Sequence, residues 1–175
     1  MEEPHMINHK KEHRAMRTTM VMAMSLVILT SCTSRRAPMD AATLREFATR
    51  YTAAWCSQHA ERVASFFAEN GSLKINQGNP SIGRAAITAA AQGFMTAFPD
   101  MVVSMDSVSL DGNHAVYHWT LTGTNTGPEG TGKGVHVSGH EEWTFNDDGL
   151  ILKSLGHFDE AEYQRQLNAD VPVVH

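Results

Sequence analysis

Along residues 41–57 the apolar side chains Leu44, Phe47, Ala48, Tyr51, Ala54 and Trp55 recur at steps of three and four. That spacing places them on one face of an amphipathic helix, with Asp40 positioned to cap its start. A second, shorter helix is expected over about 59–68, where Val63, Phe66 and Phe67 are apolar and Asn70-Gly71 closes the element. Residues 72–76 (SLKIN) alternate as a short strand, and QGNPSIG reads as a loop rich in turn residues. Residues 84–98 form an alanine-rich helical pattern with Ile87, Ala90, Ala91, Phe94 and Phe98 on one stripe. Pro99-Asp100 stops it.

After that the period changes from about 3.6 to two. Strands are expected at 101–110, 114–124, 134–145 and 150–158, and a short helix at 159–168. Asp111-Gly112-Asn113 is a hairpin signal, and Asn146–Gly149 is a second tight turn. Helices first and antiparallel strands afterwards predict an α+β fold. Four strands joined by short turns make one curved antiparallel sheet, covered by three N-terminal helices. Bent in this way the sheet is cone-shaped, and its mouth is a natural apolar pocket.

Strand parity then sorts the chemistry, because successive side chains point to opposite faces. In 134–145, Val135, Val137, Glu141, Trp143 and Phe145 share one side, while His136, Ser138, His140 and Glu142 share the other. The first set is the more apolar, so it faces the helices, and Glu141 sits inside among aromatics. In the strand before it, Ala115, Tyr117, Trp119 and Leu121 face inward and His118 outward. The last strand is ambiguous. Ile151, Leu155, His157 and Asp159 share one parity, and Leu152, Ser154, Gly156 and Phe158 the other, but Gly156 invites a bulge.

Charge narrows the partners. Residues 1–39 carry six Lys/Arg against three Asp/Glu, whereas residues 40–175 carry eight against sixteen. An acidic body without a basic cluster excludes nucleic acid as a partner. It also argues against docking of the body on an anionic membrane. The N-terminus differs: a basic stretch, His9–Arg17, precedes the uncharged apolar run 20–30. Eleven residues are too few to cross about 30 Å of hydrocarbon, and the layout is that of a secretory signal.

Leu29-Thr30-Ser31-Cys32 resembles a bacterial lipobox. The resemblance implies a signal peptide over 1–31, lipidation of Cys32, and a tether over 32–39. The domain would then span 40–170 and a tail 171–175. It implies an exported protein of the bacterial envelope, held at the membrane by its lipid anchor only. An ordinary secretory signal cut near Ala37, or a start at Met16, are the alternatives. Cys56 is then left without an intramolecular partner, and beside Trp55 it reads as a buried free thiol.

Several short stretches, in order and spacing, resemble the nuclear transport factor 2-like superfamily and, within it, the SnoaL-like group. They include the AENGSL turn, Gly83–Ile87, Phe98-Pro99-Asp100, Trp119–Thr124, Thr131-Gly132-Lys133, Asp148-Gly149, and Asp159 with Arg165-Gln166-Leu167. The resemblance covers about 41–168. It implies a homodimer formed through the outer sheet surface. It also implies a histidine in a Gly-Thr-His-x-Gly loop and an aspartate on the last strand, as in the SnoaL-like cyclases. Here those positions hold Asn125 and Gly156. The first-strand carboxylate base of the related ketosteroid isomerases is also missing, since Lys74, Ile75 and Asn76 stand there. Tyr51 falls at their tyrosine position.

What remains supports two readings. In one, the domain binds a small apolar or amphipathic molecule, with Tyr51, Trp55, Phe94, Trp119, Asn125 and Trp143 around it. In the other, it is an enzyme of the isomerase, cyclase or hydratase type. His157 and Glu141 would then be the acid–base groups, with Asp159 orienting the His157 ring. Asp159 has a plainer alternative, the N-cap of the last helix. No cofactor is expected. His140, Glu142 and His157 are metal-ligand types without a short ligand spacing, so no metal is expected either. The glycine-rich 127–134 loop lies between strands and lacks phosphate-loop spacing.

Overall fold

The computed structural model describes residues 39–168. The signal segment, Cys32, most of the tether and the tail expected at 171–175 lie outside the described residues. Among these residues no helix is long and apolar enough to cross a membrane.

Helix α1 spans Ala41–Trp55 and is capped as expected: the Asp40 carboxylate accepts the Thr43 N–H at 2.7 Å. It buries Leu44, Phe47, Ala48, Tyr51, Ala54 and Trp55, the set its periodicity picks out. Helix α2 is only Ala60–Ala64, and strand β1 runs from Phe67 to Ile75. Of the apolar pair Phe66-Phe67, read as part of a helix face, Phe66 instead forms the turn before β1 and Phe67 enters the sheet. The Ile151 N–H donates to the Phe66 carbonyl at 2.9 Å, and Phe67 pairs with Ile151.

Two-residue β2 (Ser81–Ile82) pairs antiparallel with β1, and α3 follows at Arg84–Ala97. The remaining strands are β3 (Val102–Asp111), β4 (His114–Thr124), β5 (Gly134–Phe145) and β6 (Ile151–Phe158), and α4 is Glu160–Asn168. All six strands form one sheet in the order β2-β1-β6-β5-β4-β3. Four strands were expected in it, all antiparallel. The difference arises because β1 joins the last strand, and β1–β6 is a parallel pair.

Between the helices and the inner face lies an aromatic core. The Tyr51 ring stands edge-on to Trp143 at 5.0 Å and to Tyr117 at 5.7 Å, and Tyr117 stacks on Trp143 at 4.7 Å. Such pairs add about 0.5–1.5 kcal/mol each beyond their burial. Cys56 is exposed, not buried. Its sulfur bonds to both the N–H and the carbonyl of Val103 at 3.2 Å, tying the end of α1 to β3.

A register shift settles the parity of β6. The β5–β6 ladder slips between Thr144 and Phe145, so Ile151 and Ser154 both point inward and are fully buried. From there Ser154, Gly156 and Phe158 face the interior beside Trp143, Glu141 and Gly139, while Leu155 and His157 face out.

Candidate functional site

Strand β5 carries Glu141 into the core, where it is 6% exposed. Three donors converge on its Oε2: the Tyr51 hydroxyl at 3.0 Å, Trp143 Nε1 at 2.9 Å and the Ser154 hydroxyl at 2.6 Å. Its Oε1 has one long contact, to the Tyr51 hydroxyl at 3.3 Å. The carboxyl therefore binds α1, β5 and β6 together through one oxygen and keeps the other nearly free. Burial pushes its pKa up, while the Ser154, Trp143 and Tyr51 bonds pull the other way without overcoming it. Burial, and then the Glu141 charge, push the Tyr51 hydroxyl well above its usual value, so it stays a donor.

Glu141 lines a cavity of about 60 Å³. Five aromatic residues line it, Trp55, Phe94, Tyr117, Trp119 and Phe158, together with aliphatic side chains. Two glycines shape it. Gly156 lies opposite Glu141 and leaves the carboxyl uncovered. At Gly139 a Cβ would stand 2.6 Å from Cζ2 of Trp119, so the indole occupies the space a side chain would take. Among the described residues, Trp119 Nε1 is the buried side-chain polar atom without a hydrogen-bond partner. Tyr117 closes the floor, its hydroxyl 2.7 Å from the Thr52 hydroxyl.

Of the residues singled out for ligand binding, Trp55, Phe94 and Trp119 line the cavity. Tyr51 and Trp143 lie behind it, buried, and act on it through Glu141. Asn125 serves a different purpose. Its amide donates to the Ala97 carbonyl at 3.1 Å and accepts the Thr131 N–H at 2.8 Å, pinning the β4–β5 loop to the end of α3. Tyr117, Gly156 and Phe158 were not singled out as site residues. The shared parity of Tyr117 with Trp119 was the available signal.

The three-residue acid–base set is not assembled. His157 is the cross-strand partner of His140 and stacks on it at 5.0 Å, on the face opposite Glu141. Asp159 does not orient His157. Its carboxylate accepts the Glu162 N–H at 2.9 Å and caps α4. Of the three, Glu141 alone lines the cavity. The outer face is polar, with Thr120 bonded to Asp106 and Ser138, and His118, His140 and His157 in a row. His140, Glu142 and His157 do gather there: pairing across strands supplies the proximity that sequence spacing withheld.

An open six-stranded sheet packed against N-terminal helices is the nuclear transport factor 2-like fold, also described as ketosteroid isomerase-like. Residues 48–153 match the sequence profile of the SnoaL-like domain, and the chain belongs to that family. No protein of curated function matches the sequence. Among solved structures, TsrD from Streptomyces laurentii aligns with a TM-score of 0.65 at 18% identity, over 75% of this chain and 99% of that one. A ketosteroid isomerase-like protein from Catenulispora acidiphila, in complex with trimethylamine, aligns at 0.62 and 16%, over 70% and 92%. A phenazine biosynthesis-related protein from Pseudomonas aeruginosa aligns at 0.60 and 17%, over 77% and 93%. At these identities the likeness is one of fold.

Proposed function

We propose that the domain binds a small amphipathic molecule in the cone cavity, apolar body against the aromatic wall and polar head against Glu141. The observation that carries this reading is a buried carboxyl lining an otherwise apolar cavity, its geometry fixed by three donors on one oxygen. A water takes roughly 10–15 Å³ on this scale, so about 60 Å³ suits a ligand, or a ligand group, of a few heavy atoms. Glu141 favours a head that donates a hydrogen bond or carries positive charge. A hydroxyl donates to it, and a small alkylammonium satisfies Glu141 and the aromatic wall together. The relative from Catenulispora acidiphila is described with trimethylamine, a molecule of that size.

The test is tryptophan fluorescence of the full-length chain titrated with tert-butanol and with trimethylamine. Saturable quenching, weakened in Gly156→Ala, supports the reading. At Gly156 an added Cβ meets nothing closer than 3.5 Å, so the fold tolerates it while the cavity narrows. No saturable response to either probe overturns the reading.

A second reading rests on Glu141 Oε1. A carboxyl of raised pKa with one uncommitted oxygen is suited to move a proton on a bound substrate. In that reading Glu141 works without His157, as the sole acid–base group of an isomerase-, cyclase- or hydratase-type enzyme. Deuterium exchange into a bound ketone probe, lost in Glu141→Gln, is its signature.

Export and anchoring are proposed on the sequence alone, from the basic stretch, the apolar run and Cys32. Acyl labelling abolished by Cys32→Ala supports the anchor, and labelling that persists refutes it. The homodimer implied by the family resemblance is proposed on the same footing, and sedimentation equilibrium at twice the chain mass is its support.

A further inference from the structure

The outer face of the sheet holds a cluster that the cavity does not use. His118 on β4, His140 on β5 and His157 on β6 are successive cross-strand partners. Their rings lie 5.6 Å apart for His118–His140 and 5.0 Å apart for His140–His157. Glu142 follows His140 by two residues and so shares its face. Its Oε1 stands 3.9 Å from His140 Nε2. One ligand atom each from His140, Glu142 and His157 lies within 4.8 Å of the others. Two cations share this face: Lys153 on β6, opposite Thr144, and Lys74 on β1, opposite Leu155.

We infer that His140, Glu142 and His157 form a binding site for a divalent transition-metal ion of the zinc type, with His118 alongside as a further imidazole. Two imidazole nitrogens and one carboxylate oxygen are a zinc ligand set that leaves a position for water. Bonds of about 2.0–2.1 Å in tetrahedral geometry put ligand atoms roughly 3.4 Å apart. The β5–β6 ladder fixes the three backbone positions, so rotation of side chains that are exposed or half-buried closes the remaining gap.

The experiment is calorimetric titration of the chelator-stripped full-length chain with Zn²⁺, repeated with Co²⁺ followed by its visible absorption. The chain has ten histidines, some outside the described residues, so variants assign the site. Loss of an outer-shell partner alone weakens metal sites about 10–100-fold, so His140→Ala and His157→Ala should each weaken binding at least that much. His114→Ala, at the start of β4, should leave it unchanged. If either alanine variant misfolds by circular dichroism, Glu142→Gln on the exposed face gives the same reading, with the Co²⁺ band shifted or lost. Absence of binding, or binding that survives His140→Ala/His157→Ala together, overturns the site.

Discussion

Two faces of one strand separate the chemistry of this molecule. Glu141 and His140 are neighbours in the chain, yet β5 sends the first into the aromatic core and the second to the outer surface. Both lose water, and desolvation disfavours the charged form of each. Burial therefore pushes the Glu141 pKa up and the His140 pKa down. The inner group is held by three donors and little else can replace it. The outer group stands in a row of exposed and half-buried imidazoles. Strand parity, more than nearness in sequence, decides which residues can cooperate.

The strongest way to break this contrast is Glu141→Leu. It strands the Trp143 N–H, which can only donate, and the Tyr51 and Ser154 hydroxyls. At about 1–3 kcal/mol for each buried unpaired group, the loss should be at least about 3 kcal/mol, read from the urea midpoint. Glu141→Gln keeps an acceptor and should cost distinctly less. Ser154→Ala removes the shortest bond and should cost about 1–2 kcal/mol. Asp159→Ala removes the cap of α4 and should cost about 1 kcal/mol while leaving cavity binding intact. His140→Ala, on the outer face, should stay within about 0.5 kcal/mol at neutral pH without metal.

The two faces should also answer pH with opposite sign. Folded Glu141 holds its proton above its ordinary value of 4.5. As pH rises from 4.5 through the raised folded value, the unfolded chain releases the proton first, and stability falls. Folded His140 resists protonation below its ordinary value of 6.5. As pH drops through 6.5 towards the lowered folded value, the unfolded chain binds the proton first, and stability again falls. Glu141→Gln should flatten the first slope and His140→Ala the second, in denaturation curves collected across pH 4–8. If both variants flatten the same limb, the assignment of faces is wrong.

Much of this was readable from the chain. Helical spacing picked out every buried residue of α1, and period-two alternation placed Tyr117, Trp119, Glu141 and Trp143 on the inner face. What escaped depends on pairing between distant segments. The parity of His157 follows from its register against β5, set by a shift near Phe145 that no local pattern announces. Phe66 and Phe67 look helical because the strand that claims them lies more than eighty residues downstream. Asn125 stands where a catalytic histidine was sought, but its loop folds back on α3 and uses the amide there. The outer trio of His140, Glu142 and His157 could be named on ligand type but not brought together, because two of its members sit on one strand and the third on the next.

The parallel pairing of β1 with β6 carries a consequence for how the chain folds as it is made. Strand β6 sits between β1 and β5, so the sheet is sealed by the last strand synthesised. Until Ile151–Phe158 has emerged, β1 has only two-residue β2 as a partner, and Ser154, Gly156 and Phe158 are absent from around Glu141. Contacts of such long sequence separation slow folding, because a large loop must close before any pairing rewards it. A nascent chain halted before β6 would expose a sheet edge and an unanchored carboxyl. The cavity wall at Gly156 and Phe158, and the Ser154 bond to Glu141, are therefore complete only once the last strand is in place.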